Sequence, residues 1–253
     1  MSKQAAVHWD PYNQEIWNDP YPTFRRLREE APLYYNAEHG FYALSRFDDV
    51  ERALRSHEVF SSARGGILEI IKANAQLPPA VFIFQDPPVH TMYRSLLQRM
   101  ITPKRMAALE QKVRDFCARS LDPLVGAGQL DFIANLGAEM PMRMIGMLLG
   151  IPEEDLTSVR QFADDALRTE AGKPMAYNID NFTGDAFEDY IEWRTKNPSD
   201  DFMTELLNAE FTDTQGKLRK LEREELLAIV NMVAGAGNET TNRLIGWTGK
   251  LLA

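Results

Sequence analysis

Between Leu226 and Trp247 the sequence reads LLAIVNMV, then AGAGNETTNR, then LIGW. The two apolar flanks have the pattern of a buried helix, and the ten residues between them cut across it. Against alanine, each interior glycine costs about 1 kcal/mol of helix propensity and each threonine roughly half that, so the block gives up about 3 kcal/mol. A helix that weakens itself in its middle has a local task. Glycine there lets a flat ligand approach the backbone at Gly237. A threonine hydroxyl can bond the carbonyl one turn back and bend the helix, and Ala236 and Thr240 stand four apart. Glu239 beside them can relay protons into a pocket so formed. The alternative is that AGAG ends one helix and Asn238 caps the next.

The remainder of the chain is mainly helical. Asp86-Pro87 and Thr102-Pro103 each set a capping residue before a proline at the first helical position. Gly126 and Gly128 close one helix, and Gly150-Ile151-Pro152 closes another after MPMRMIGMLL. EEDLTSVRQFADDALR, NIDNFTGDAFEDYIEWRTKN and DFMTELLNAE read as further helices. FTDTQGK is a polar bend before LEREELLAIVNMV opens the last helix. Upstream, residues 1–22 read as an extended arm with turns, TFRRLREEAPL as a short helix stopped at Pro32, FYALSRF as a strand and DDVERALRS as an amphipathic helix. Residues 60–85 hold no sustained period yet carry Ile67, Leu68, Ile71, Phe82, Ile83 and Phe84. They read either as a loop folded over something apolar or as a local mini-core.

The expected fold is therefore mainly α with a small β region, in one domain over residues 1–253 without internal repeats or a linker. An apolar stripe at Leu244, Trp247 and Leu251 is still in progress at Ala253, which reads as the N-terminal portion of a longer protein.

Several function classes drop out. The net charge of −9 argues against a nucleic-acid surface, which needs clustered lysine and arginine. No run reaches the roughly 18 apolar residues of a membrane span, and MSKQAAVHWDPY lacks the apolar core of a signal peptide. One cysteine, Cys117, cannot form an internal disulfide, and the four histidines show no zinc spacing. A cytoplasmic protein is expected. Cys117, beside Phe116, reads as a small buried hydrophobe, and His8, His39 and His57 as surface residues.

DPPVHTMYR offers a second constellation. His90 and Arg94, four residues apart, share a helix face, and a guanidinium with an imidazole clamps a carboxylate or phosphate well. The plainer reading is a helix surface with a basic pair.

Taken in order, DPYPTFRRLREEAPLYY, GFYALSRFDDVERALRSHEVFSS, DPPVHTMYRSLLQRMITPKRM, MLLGIPEED, NPSDDFMTELLNAE and EELLAIVNMVAGAGNETT resemble the soluble bacterial cytochrome P450 family. The resemblance covers the whole chain. Its most specific pieces are the His-xxx-Arg after DPP and AGNETT, which is similar to the family's Ala/Gly-Gly-x-Asp/Glu-Thr-Thr/Ser helix.

The resemblance implies a cytochrome P450 fold and haem b as cofactor. His90 and Arg94 would bind the propionates, and Ala236 and Gly237 would lie over the distal face. Thr240 would hold O2 and Glu239 would belong to the proton relay, so Glu239 and Thr240 are the catalytic candidates. Ile67, Leu68, Phe82, Ile83, Phe182 and Val233 would contact substrate, and the region from Phe162 to Phe182 would form part of a mobile lid. No Glu-xx-Arg and no Phe-xx-Gly-xxx-Cys-x-Gly loop occurs in these residues. The axial cysteine is therefore expected beyond residue 253, with no metal ligand in this chain. Ile101 also stands where the family commonly has Phe.

The implied activity is hydroxylation or epoxidation of a hydrophobic small molecule with O2, on electrons from a ferredoxin and ferredoxin reductase. Arg99, Lys104 and Arg105 are candidates for the redox contact, or plain solvated charge. Two alternatives stand beside it: a non-catalytic helical protein that binds an apolar ligand, and a haem peroxygenase, against which Glu239-Thr240 weighs.

Overall fold

The structure, a computed structural model, describes residues 6–166, 169–176 and 184–252. Its chain divides into two compact units. Met1–Gln76, Ile83–Asp86 and Thr169–Tyr177 make the first, and Leu77–Phe82, Pro87–Arg168 and Asn178–Ala253 the second.

The first unit carries α1 (Gln14–Asn18), α2 (Tyr21–Glu30), β1 (Leu33–Asn36), β2 (Phe41–Leu44), α3 (Phe47–Arg55) and α4 (Leu68–Ala73). The arm expected to be extended includes α1, which is too short to show a period. Asn13 starts it, its side chain accepting from the N–H groups of Glu15 and Ile16. FYAL is a strand as expected, and its partner β1 pairs with it antiparallel, from Leu33 opposite Leu44 to Asn36 opposite Phe41. Asn36, 2% exposed, staples the arm to this hairpin: it donates to the Trp9 carbonyl at 2.8 Å and accepts the His39 N–H at 2.8 Å. His39 is consequently half-buried, its ring 3.2 Å from Asp10, and not the free surface residue expected. The 60–85 connection folds locally, with α4 and a 3-10 turn over Phe82–Phe84. Ile70 is fully buried, and Gly65 makes room for it: a Cβ there would stand 2.5 Å from Ile70 Cγ2.

The second unit carries α5 (Val89–Met100), α6 (Pro103–Leu121), α7 (Met140–Leu149), α8 (Leu156–Ala166), α9 (Glu188–Lys196), α10 (Phe202–Asn208), β3 (Glu210–Thr212), β4 (Leu218–Lys220) and α11 (Arg223–Leu252). Thr102 caps α6 as expected, accepting from the Arg105 N–H. The start of α5 differs. It begins at Val89, after a cis Pro87-Pro88 bond, while Asp86 accepts from the Ser62 N–H at 2.9 Å and the Ser61 hydroxyl at 2.5 Å. The helix expected from Asn178 is described only from Glu188. FTDTQGK is a β-hairpin, too short to show alternation, and Asp213 turns it by accepting the N–H groups of Gln215 and Lys217, each at 2.9 Å. Gly150 ends α7 at φ +71, as the sequence signalled. Behind it Arg194, 8% exposed, bonds Asp201 and the Gly150 carbonyl, each at 2.8 Å.

α11 is one uninterrupted 30-residue helix. The reading in which AGAG ends a helix and Asn238 caps another is overturned, because Asn238 lies in mid-helix at 1% exposure. Around it pack α7, α8 and a single π-helical turn at Ile133–Gly137. The first half of α11 is buried nearly all round, from Leu226 to Met232. The second half turns Leu244, Trp247 and Leu251 outward.

Candidate functional site

The weak block of α11 has distinct faces. Ala236 and Thr240 are both exposed, with half-buried Val233 one turn before them. The Thr240 hydroxyl donates to the Ala236 carbonyl at 2.7 Å, as the spacing required. Gly237 points elsewhere. A Cβ on it would lie 2.3 Å from Ile145 Cδ1, so this glycine admits α7, and the open ledge is made by Ala236 and Thr240. Glu239, next along, is held by Arg243 one turn ahead, Oε1 to Nε at 2.5 Å, with 24% of its side chain exposed.

The basic pair lies on α5. His90 is half-buried, its ring centroid 5.8 Å from that of Phe82. Arg94 is exposed and has no ion-pair partner among the described residues. A guanidinium left unpaired one turn from an imidazole, in a chain of net charge −9, is free to meet an external anion.

Between these two lies a residue that sequence reasoning missed. Tyr93, 2% exposed, donates its hydroxyl to Glu225 of α11. Glu225 takes both ends of the Arg219 guanidinium at 2.7 and 2.8 Å and the Glu222 N–H at 2.8 Å. Arg219 lies 4.7 Å over the Phe211 ring and 3.3 Å from Asp213. Burial pushes the Tyr93 phenol up, and its bond to Glu225 adds to that. For Glu225 burial pulls upward, but hydrogen bonds from Arg219, the Glu222 amide and Tyr93 outweigh it and hold the carboxyl below its ordinary value. The cluster ties the helix of His90 and Arg94 to the first turn of α11. The only local sequence signal was a glutamate three residues after Glu222, whose carboxylate takes the Glu222 N–H as in one half of a capping box.

The remaining candidates are spread out. Ile67 precedes α4 and Leu68 opens it, both half-buried, and Ile83 is 45% exposed. Phe82 is 5% exposed, its ring stacked at 6.3 Å on Tyr93. Phe182 lies outside the described residues. Of the three surface cations, Arg105 is committed to Glu205 and Arg99 reaches the Glu210 carbonyl at 3.4 Å, while Lys104 stays unpaired among the described residues. All three line a groove of about 520 Å³ with Met147, Phe202 and Glu205. Cys117 is half-buried in mid-α6, and no cluster of metal-binding side chains occurs among the described residues. Among those residues no helix is long and apolar enough to cross a membrane.

The chemistry of each part suits one piece of a flat, dianionic ligand: on α5 an arginine without an ion-pair partner among the described residues and a histidine can meet carboxylates, and on α11 the exposed Ala236–Thr240 ledge leaves room for a flat group. A haem with its two propionates has that shape and charge.

No family model matches the chain. Cytochrome P450 130 of Mycobacterium tuberculosis is 35% identical over 263 residues, which cover 94% of this chain and 60% of that protein. A protein named steroid C26-monooxygenase from the same species is 29% identical, covering 89% of this chain and 55% of its own length. The solved cytochrome P450 CYP109Q5 of Chondromyces apiculatus superposes with a TM-score of 0.76 at 28% identity, over 95% of this chain and 60% of that one. The chain belongs to the cytochrome P450 family. It spans about 60% of the length of the curated relatives it matches. The mainly α cytochrome P450 fold with small antiparallel sheets is the one the sequence led us to expect. Within this P450 the ledge of α11 and the basic pair of α5 belong to one compact unit.

Proposed function

We propose that this chain carries the oxygen-side half of a haem-thiolate monooxygenase that hydroxylates or epoxidises a hydrophobic small molecule with O2. The observation that carries the proposal is the exposed Ala236–Thr240 ledge, with the threonine hydroxyl bonded to the Ala236 carbonyl at 2.7 Å, directly after the buried stretch from Leu226 to Met232.

A haem bound there, with a cysteine ligand from outside these residues, would supply dioxygen activation. The chain's own residues do the rest. Arg94 would pair with a propionate and His90 would hydrogen-bond one, so the two would help orient the ring. Ala236 lets it lie close to the helix. The Thr240 O–H donates its hydrogen bond to the Ala236 carbonyl, so the hydroxyl oxygen keeps its lone pairs free to accept. It can hold a water or a protonated oxygen there, and it donates only if that bond swings away. Glu239 is the nearest carboxylate in sequence to this hydroxyl, and release from Arg243 frees it to exchange protons with solvent. Val233, on the same side of α11, is proposed to give the substrate an apolar contact, and Ile67, Leu68, Phe82 and Ile83 are proposed as substrate contacts on the resemblance. Phe182 is proposed with them on the resemblance alone. Electrons are proposed to come from a ferredoxin and its reductase, with unpaired Lys104 the first contact to test.

The test has two arms. The reduced, carbon monoxide-treated haem protein should show the red-shifted Soret band of thiolate ligation; no haem spectrum would favour an apolar-ligand carrier. Thr240→Ala should keep that band and the helix while NAD(P)H consumption is diverted to peroxide. Coupling equal to the parent's would remove Thr240 from the mechanism.

A further inference from the structure

Asn238 stands between Gly237 and Glu239, yet it faces away from the ledge. It is 1% exposed, and its Nδ2 donates to Asp164 Oδ1 of α8 at 2.9 Å. Asparagine is a poor choice for a buried position in mid-helix, on propensity and on desolvation alike, and a leucine would fill the space without an amide to satisfy. A buried amide kept at such cost fixes direction through its donor: Nδ2 is satisfied by Asp164, while Oδ1 is buried without a hydrogen-bond partner among the described residues, so losing the one bond would leave the whole amide unpaired.

Its partner is fixed in turn. The other oxygen of Asp164 lies 3.9 Å from Arg160 Nε. Arg160 is paired with Glu139, at the head of α7, and Glu139 lies 3.8 Å from Arg143, which is paired with Glu153. Acids and bases alternate from a buried amide out to Glu153, whose side chain is 73% exposed. Asn238–Asp164, Arg160–Glu139 and Arg143–Glu153 are hydrogen bonded and the two longer links are charge contacts, so residue 238 of α11 is tied directly to α8 and, through that row of charges, toward α7. Ile145 of α7 presses on the adjacent Gly237 and blocks rotation the other way.

We propose that Asn238 is a positioning residue. Through Asp164 it locks the turn of α11 that bears Glu239 and Thr240, so that the acid and the hydroxyl keep their directions. The catalytic consequence rests on the monooxygenase reading above; the interhelical tie does not.

Four variants of the protein test this: Asn238→Leu, Asn238→Asp, Asp164→Asn, and the double variant N238D/D164N, which restores the hydrogen bond with donor and acceptor exchanged. Amide hydrogen exchange over residues 236–242 reads the tie, and product formed per NAD(P)H reads the positioning. N238L is expected to speed exchange about tenfold, which corresponds to about 1.4 kcal/mol, and to lower coupling at least threefold. N238D, with two carboxylates face to face, should do the same, and the double variant should recover most of both. Unchanged exchange in N238L overturns the tie. Faster exchange with parental coupling overturns the positioning role, as does a double variant no better than N238D. If N238L does not fold, D164N, altered at a 40% exposed side chain, gives the same readings at a few-fold scale. Failure of the monooxygenase reading looks different: the parent would lack the thiolate-type carbon monoxide band while the exchange arm behaved as expected.

Discussion

Glu225→Gln probes the cluster that fastens α5 to α11. The substitution keeps size and one acceptor oxygen but removes the charge that Arg219 grips at 2.7 and 2.8 Å. Breaking a fully buried ion pair from one side costs roughly 3–5 kcal/mol. Here the two side chains are 22% and 16% exposed, and Arg219 keeps Asp213 at 3.3 Å, so solvent and the second acid reduce the loss to about 2 kcal/mol. At roughly 2–4 °C per kcal/mol for a chain of this size, the melting temperature should fall by about 6 °C at neutral pH.

The pH dependence gives the sharper test. Glu225 is held below its ordinary value, so its contribution is fully present above the unfolded carboxyl range, about pH 4.3, and is lost as pH falls through the lower folded value. A protonated Glu225 resembles the glutamine. Parent and variant should therefore differ by a constant amount from about pH 5 upward and converge in acid. Asp213, whose carboxyl the turn amides of Lys217 and Gln215 also hold down against burial, shares Arg219 with Glu225 and so narrows the gap at neutral pH without preventing the convergence in acid. Differential scanning calorimetry from neutral to acid pH reads the gap directly. A gap undiminished in acid would mean that the variant loses packing and not charge, and the electrostatic account would be wrong.

Two further perturbations separate packing from chemistry. Gly237→Ala gains about 1 kcal/mol of helix propensity but drives a methyl to 2.3 Å from Ile145, which costs about 1–3 kcal/mol. Stability should drop slightly, and Ile145→Ala, which removes both the Cδ1 and the Cγ1 that crowd the new methyl, should cost less in the Gly237→Ala background than in the parent, as a urea double-mutant cycle would show. A parent-like single variant would mean that Ile145 has room to move. The Tyr12 hydroxyl donates to Glu69 of α4 at 2.7 Å, and Glu69 also accepts the Met175 N–H at 3.2 Å. Burial, with the bond to Glu69, pushes that phenol up to about 12. Alkaline difference absorbance should lose a late-ionising tyrosine in Tyr12→Phe; loss of an ordinary one refutes the contact.

What could be read from the sequence divides along physical lines. Long periodic helices with their own punctuation were legible: Thr102-Pro103 opens α6 and Gly150 closes α7 because caps and αL glycines act within one turn. Most elements of three to five residues were not, β2 with its aromatic run being the exception. β1, β3, β4 and α1 draw their stability from partners across a hairpin or from Asn13 and Asp213, which no period reveals. At the site, the i to i+4 rule correctly joined Thr240 to Ala236, since both ends of that bond lie on one helix. It could not find Tyr93 with Glu225, which are 132 residues apart, and it assigned Gly237 to the ligand when only tertiary packing shows Ile145 behind it.

The reason for the weak block in α11 follows from these faces together. A helix buried all round cannot offer a surface to a ligand, and one with a free face can roll about its axis. Residues 234–243 meet both demands with small or polar side chains in place of apolar bulk. Ala236 and Thr240 clear the ledge, Gly237 brings α7 close, and Asn238 pins the far side to α8. Replacing the block by leucine and alanine would recover the propensity of about 3 kcal/mol that it gives up, yet it would close the ledge and remove the pin. Stability and a directed hydroxyl are therefore in opposition over these ten residues, and the sequence resolves that opposition in favour of direction.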